Sequence, residues 1–235
     1  MLYETIRNCG EVGIEFSMED SDGTRVTRRF LERLVKGIVR RSTDYYYATG
    51  DYVFSYRERQ MHSVVCPSIA AITRAYLMEH SLTRKPPGED EYPGRIDYWI
   101  SYRNYSFLME LKHGYFAYKR TSNPRQDLLK KFNSAMDQLK NIRKDECEWL
   151  GGGDKGLFKI AFLAITFFSG SESETKRDEL GSEELKSHFN GMMKNSGLAK
   201  ITNLRAFWIL DKVEPVRYSN GEQIFPAVAF VGNVF

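Results

Sequence analysis

The chain has 235 residues, long enough for one large domain with a sizeable buried core. No run approaches the roughly 18 continuous apolar residues of a membrane span, and the opening MLYETIRNCGEVGIEF lacks the apolar stretch of a signal peptide, so a cytoplasmic protein is expected. A formal net charge of +3 excludes a wholly basic nucleic-acid coat, and Cys9, Cys66 and Cys147 are too scattered for a disulfide framework or a cysteine zinc site.

In chain order, Glu11 to Met18 alternates like a short strand, and EDSDG is a turn or loop. From an N-cap at Thr24 or Thr27, Phe30, Leu31, Leu34, Val35, Ile38 and Val39 recur at helical spacing. The opposite side carries Arg25, Arg28, Arg29, Arg33, Lys36, Arg40 and Arg41, either a face that tracks a DNA backbone or an ordinary solvated one. Thr43 to Tyr56 reads as a tyrosine-rich connection with a Thr49-Gly50-Asp51 turn. Ser55 to His80 reads as helical with a kink or break near Pro67. Ser81 to Gly94 is a loop punctuated by proline and glycine.

Arg95 to Tyr102 and Tyr105 to His113 alternate and are rich in aromatic and β-branched residues, which predicts an antiparallel hairpin about Arg103-Asn104. Arginine is a poor residue for positive φ, so the loop is either two or four residues. Symmetry about that turn sets Asp97 opposite Glu110, with Lys112 on the same face. That face collects Arg95, Asp97, Trp99, Ser101, Leu108, Glu110 and Lys112; Ile96, Tyr98, Ile100, Tyr102, Tyr105, Phe107, Met109 and Leu111 face a core. Two carboxylates that close repel, and a hard divalent ion such as Mg²⁺ resolves the conflict through one or two carboxylates and bound waters. A lysine beside it can hold a scissile phosphate, orient the attacking water or, with a lowered pKa, help deprotonate it.

Asp97, twelve intervening residues and then Glu110-Leu111-Lys112 resembles the motif of the PD-(D/E)xK nuclease superfamily, with Ile96 where the family name has proline. The resemblance implies an α/β fold with a restriction-endonuclease-like αβββαβ core: a mixed central sheet flanked by helices, with an extra N-terminal helix and C-terminal strands. It also implies a Mg²⁺-dependent deoxyribonuclease, with Mn²⁺ as a substitute ion, in which Asp97 and Glu110 bind the metal and Lys112 serves phosphodiester hydrolysis. A third acidic ligand from the preceding helix would be Glu58, with Glu79 as the alternative, and His62, one turn from Glu58, reads as structural. Gln138 is similar to the glutamine of the QxxxY helix in RecB-like members, although Ile142 stands in the tyrosine's place. Arg95, expected across from Lys112, would contact phosphate or pair with Asp97, and Lys119 and Arg120 in the following loop would contact phosphate near the metal.

Pro124 to Glu148 reads as one helix with Leu128, Leu129, Phe132, Ala135, Met136, Leu139 and Ile142 inward. GGGDKG at Gly151 to Gly156 follows a helix and precedes a strand, the reverse of a phosphate-binding loop, and is a linker turn. Leu157 to Phe168 is a central strand buried on both faces. Lys176 to Lys194 is a charged helical region interrupted by Gly181 and Gly191. Leu204 to Leu210 and Ile224 to Val231 are closing strands, with turn material at Tyr218 to Gly221. The expected organisation is one nuclease-like domain: an N-terminal extension to residue 50, a catalytic core over 51–170, and a C-terminal helix and strands over 171–235. DNA is the expected partner, within a homodimer or a larger defence or repair complex; a non-catalytic nucleic-acid-binding or assembly subunit on the same fold is the alternative.

Overall fold

The computed structural model of the chain describes residues 1–118, 125–151, 156–170, 181–212, 215–218 and 221–235. Nine strands among them form one mixed sheet: β1 (Tyr3–Ile6), β2 (Gly10–Phe16), β3 (Tyr76–Arg84), β4 (Tyr92–Tyr102), β5 (Tyr105–Ala117), β6 (Leu157–Gly170), β7 (Leu204–Leu210), β8 (Val216–Tyr218) and β9 (Gly221–Val234). Their order is β1-β2-β7-β9-β6-β5-β4-β3, with β8 paired to β9. Only the β5–β6 pair is parallel; every other pairing is antiparallel.

Five helices cover the sheet: α1 (Asp22–Thr49) and α2 (Glu58–Ala70) on one face, α3 (Arg125–Lys140), α4 (Lys144–Gly151) and α5 (Ser182–Ser196) on the other. Each face has its own apolar layer. α1 lays Phe30, Leu31, Leu34, Val35, Ile38 and Val39 on the first, the stripe expected from the spacing, each worth about 1.5–3 kcal/mol when fully buried. α3 lays Leu128, Phe132, Ala135 and Leu139 on the second. None of the helices is long and apolar enough to cross a membrane, among the described residues.

α1 starts earlier and ends later than its pattern suggested. Ser21 is the N-cap and Thr24 completes a capping box with it, whereas Thr27 is buried inside the helix and bonds back to Gly23 O at 2.8 Å. The tyrosines expected in a connection continue the helix to Thr49, where Gly50 at φ 73° supplies the left-handed cap. α2 carries Pro67 inside its last turns and stops at Ala70, so Tyr76 to His80 is strand, not helix. That stretch has no strong local preference; pairing of Tyr76 with Ile100 and of Met78 with Tyr98 decides it. The loop expected over residues 81–94 shrinks to 85–91, and the expected single helix of 124–148 is two, separated where Asn141 O accepts Lys85 N at 2.6 Å and Arg84 bridges Ile142. β6 is the doubly buried central strand expected, and α5 runs through Gly191.

The hairpin is the tight one. Arg103 and Asn104 both take positive φ, 53° and 65°, between paired Tyr102 and Tyr105, which is a two-residue loop rather than the four-residue alternative. The register is the symmetric one from Tyr102–Tyr105 to Tyr98–Met109. There the ladder ends, one step short of Asp97 and Glu110. Alternation also slips at this point: Tyr98 and Ile100 join the α1 layer, while Ile96 joins Leu108 in the α3 layer. Both faces of the hairpin are therefore covered, and charge gathers only where the two strands part.

Candidate active site

Beyond Tyr98 and Met109, β4 and β5 diverge. The N–H groups of Leu111 and His113, which alternation aims toward β4, are left without a ladder partner. Carboxylates take both. Asp97 Oδ2 accepts Leu111 N at 2.7 Å, and Glu58 Oε2 accepts His113 N at 3.0 Å. Lys112, between those two amides on the opposite pleat, places Nζ 2.9 Å from Glu110 Oε1 and 3.6 Å from Glu58 Oε1. The fork of the strands thus draws Asp97, Glu110, Lys112 and Glu58 to one place from three elements.

A fifth residue is Arg84, at the end of β3, which the loop assignment of residues 81–94 concealed. It is 5 % exposed, donates from Nη2 to Arg95 O, and holds Nη2 3.8 Å from Glu110 Oε2. Its Nε has no partner, and a Cβ on Gly94 would sit 2.6 Å from it. Strand alternation over Leu82-Thr83-Arg84 was the available signal, since Leu82 is buried too.

Electrostatics follow from this crowding. Glu110 is 3 % exposed, and burial, followed by the charge of Asp97, pushes its pKa up to about 7 against the pull of Lys112 and Arg84. Burial also raises Asp97, opposed by the Leu111 amide and Lys112. Burial acts against charge on Lys112, yet Glu110 and then Glu58 more than offset it, and its pKa rises. With the carboxylates unoccupied, their charge favours the ammonium form of Lys112, the opposite direction from the lowering that a general-base role calls for.

Glu110 Oε2 is buried and accepts no hydrogen bond. A carboxylate oxygen left this way, beside a second carboxylate, suits a hard cation that takes oxygen ligands. Mg²⁺ commonly uses one or two protein carboxylates, so Asp97 and Glu110 fit it. Among the described residues, no group of three or more His, Cys, Asp or Glu is placed to hold a metal ion. Glu58, expected as the third acidic ligand, stands at the first residue of α2, where it pairs with Lys112 and accepts the His113 amide.

The remaining expected site residues disperse. Glu79 lies in β3 at φ 52°, not at a helix end, and pairs with Arg95 at 3.6 Å. Arg95 is therefore turned outward, 70 % exposed, because β4 has already left β5 and nothing sets it across from Lys112. Gln138 bonds Ser134 on its own helix at 3.2 Å and lines a groove with Tyr92, Asn133 and Asn141. Lys119 and Arg120 lie outside the described residues. His62 is structural, bonding the buried Tyr98 hydroxyl.

A support layer lies behind the fork. His113 is buried, and burial, then Lys131, lowers its pKa to about 4. Thr166 on β6 donates to Phe54 O at 2.8 Å, so its oxygen accepts the neutral imidazole's Nε2–H, also at 2.8 Å. Tyr115 bonds the carbonyls of Ser55 and Tyr56, just ahead of Glu58. The strand interior thereby fixes where α2 begins. Comparison of the chain with family models, curated proteins and solved structures finds no match.

Proposed function

We propose that the protein is a metal-dependent nuclease of the PD-(D/E)xK type that hydrolyses DNA phosphodiester bonds. The observation that carries this reading is the buried Glu110 Oε2, which accepts no hydrogen bond and lies 3.8 Å from Arg84 Nη2, set beside Asp97 and Lys112 where β4 and β5 separate. The order α2-β3-β4-β5-α3-α4-β6, with β5 and β6 parallel, also supports a restriction-endonuclease-like core in which α4 is an addition.

Asp97 and Glu110 would hold Mg²⁺, or Mn²⁺ in its place. When bound, the ion supplies an activated water and neutralises charge developing on the phosphate. Lys112, a cation fixed by Glu110 and Glu58, meets the scissile phosphate or orients the attacking water by donating hydrogen bonds from Nζ. Glu58 holds Lys112 and the His113 amide in place, so it positions the lysine. Arg84 offsets part of the negative charge on Glu110 and keeps that carboxylate facing inward.

The test is incubation with linear and circular, single- and double-stranded DNA in Mg²⁺ or Mn²⁺. Wild type should cleave at least one form, and Lys112→Ala should lower the rate by roughly 10²–10⁴. Cleavage by Lys112→Ala at the wild-type rate would remove the proposed role of the lysine. Nucleic-acid binding without cleavage of any form would instead favour the non-catalytic subunit.

A further inference from the structure

At the far end of the hairpin from the carboxylates, guanidinium groups converge without acids. Arg33 on α1 donates from Nη1 to the Tyr102 hydroxyl at 3.4 Å, and the Arg103 guanidinium lies over the same ring, 5.5 Å from its centroid. Arg29, one helical turn before Arg33, is exposed, as is Arg74, which immediately precedes the Ala75 carbonyl that accepts Ser101 N at 2.8 Å. None of the four makes an ion pair among the described residues. The acids of α1 nearest these arginines pair with other cations: Asp22 with Arg25, and Glu32 with Lys36.

The turn supplies an independent observation. Position 103 has φ 53°, a conformation in which glycine, asparagine or aspartate is favoured and a long side chain is strained. Arginine there works against the turn while setting a second positive charge beside Arg33. Two like charges on one tyrosine, held at a conformational cost and with no carboxylate between them, suit a polyanion as the missing partner.

We infer that the hairpin tip, built from Arg33 and Arg103 on Tyr102 with Arg29 and Arg74 at its rim, is a binding site for the phosphodiester backbone of nucleic acid. This extends the nuclease reading: the tip would engage substrate at a distance from the cut. Asp97 lies six residues along β4 from Arg103, roughly 20 Å at strand rise, or about six base steps of a duplex.

The experiment is fluorescence anisotropy of a labelled 30-base-pair duplex in EDTA from 50 to 200 mM salt, with wild type, Arg33→Ala/Arg103→Gly and Arg103→Gly alone. Arg103→Gly relieves the turn and should keep or raise Tm, so weaker binding by it is not a folding defect. The double variant should lose about two units of the log–log salt slope and bind roughly tenfold more weakly at 50 mM. Unchanged affinity and slope in the double variant overturns the inference, as does failure of wild type to bind the long duplex. Because metal is absent, the result is independent of cleavage: a nuclease with an unaltered double variant refutes the tip alone, and a non-cleaving protein whose variant loses binding refutes the nuclease reading alone.

Discussion

Replacing Glu110 with glutamine tests the electrostatic core of the site without removing its bulk. In the folded protein this carboxyl titrates at about 7 against an ordinary value of 4.5, so between those values the native state binds more protons than the unfolded chain. Its contribution to stability is fully present below about 4.5 and is lost as pH rises through 7. Between pH 5 and pH 8 that loss is roughly 2–3 kcal/mol, from the two pKa values and the linkage relation. Glu110→Gln has no such titration. The upward shift of Asp97 adds a loss of the same sign to both proteins and largely cancels in the comparison. Urea unfolding at pH 5, 6, 7 and 8 at fixed ionic strength should therefore show the variant gaining roughly 2–3 kcal/mol on wild type across the range. A difference that is flat with pH, or that moves toward wild type as pH rises, would refute the placement of Glu110 as a buried carboxylate repelled by Asp97.

Other consequences follow from the same geometry. At pH 8, Mg²⁺ at ten times its dissociation constant should stabilise wild type by about 1.4 kcal/mol in thermal or urea unfolding, and Asp97→Ala or Glu110→Ala should abolish the effect. Arg84→Met removes the guanidinium near Glu110 Oε2 and should cost roughly 2–4 kcal/mol at pH 8, less at pH 5, where Glu110 is protonated; equal costs at both values would mean that Arg84 acts by packing alone. Tyr115→Phe should cost about 1–2 kcal/mol and increase hydrogen exchange at the start of α2, since the hydroxyl that fixes Ser55 and Tyr56 is gone. Unchanged exchange there would show that Glu58 is positioned by other contacts.

The hairpin, its register from Tyr102–Tyr105 to Tyr98–Met109 and the Asp97, Glu110, Lys112 grouping were legible because alternation holds from Tyr98 to Met109 about a short turn. The apolar stripe of α1 and the doubly buried β6 were equally plain, for each side chain's environment is repeated along the element. What escaped had its cause elsewhere in the chain. Tyr76 to His80 is strand only because β4 offers an edge to pair with, and the tyrosines before Gly50 stay helical only because that glycine, not Thr43, ends the helix. Arg84 was hidden by the prolines that follow it. The end of the β4–β5 ladder was the costliest omission, since symmetry extrapolated past Tyr98–Met109 gave Arg95 a partner across from it in Lys112, whereas its ion pair is with Glu79.

β9 joins the two halves of the sheet, with β2 and β7 on one side and β6, β5, β4 and β3 on the other. Ala227, Phe230 and Val231 each pair with both β6 and β7, and Gly232 brings its backbone within reach of Ala161 and Leu204. Until this late strand docks, β6 and β7 present unpaired apolar edges, so the ribs that carry the carboxylates cannot set independently of the rest. Such long-range pairing slows folding and binds the sheet into one cooperative unit. The fork between β4 and β5 is then an opening in an otherwise closed fabric, held apart by a frame whose last stay is β9.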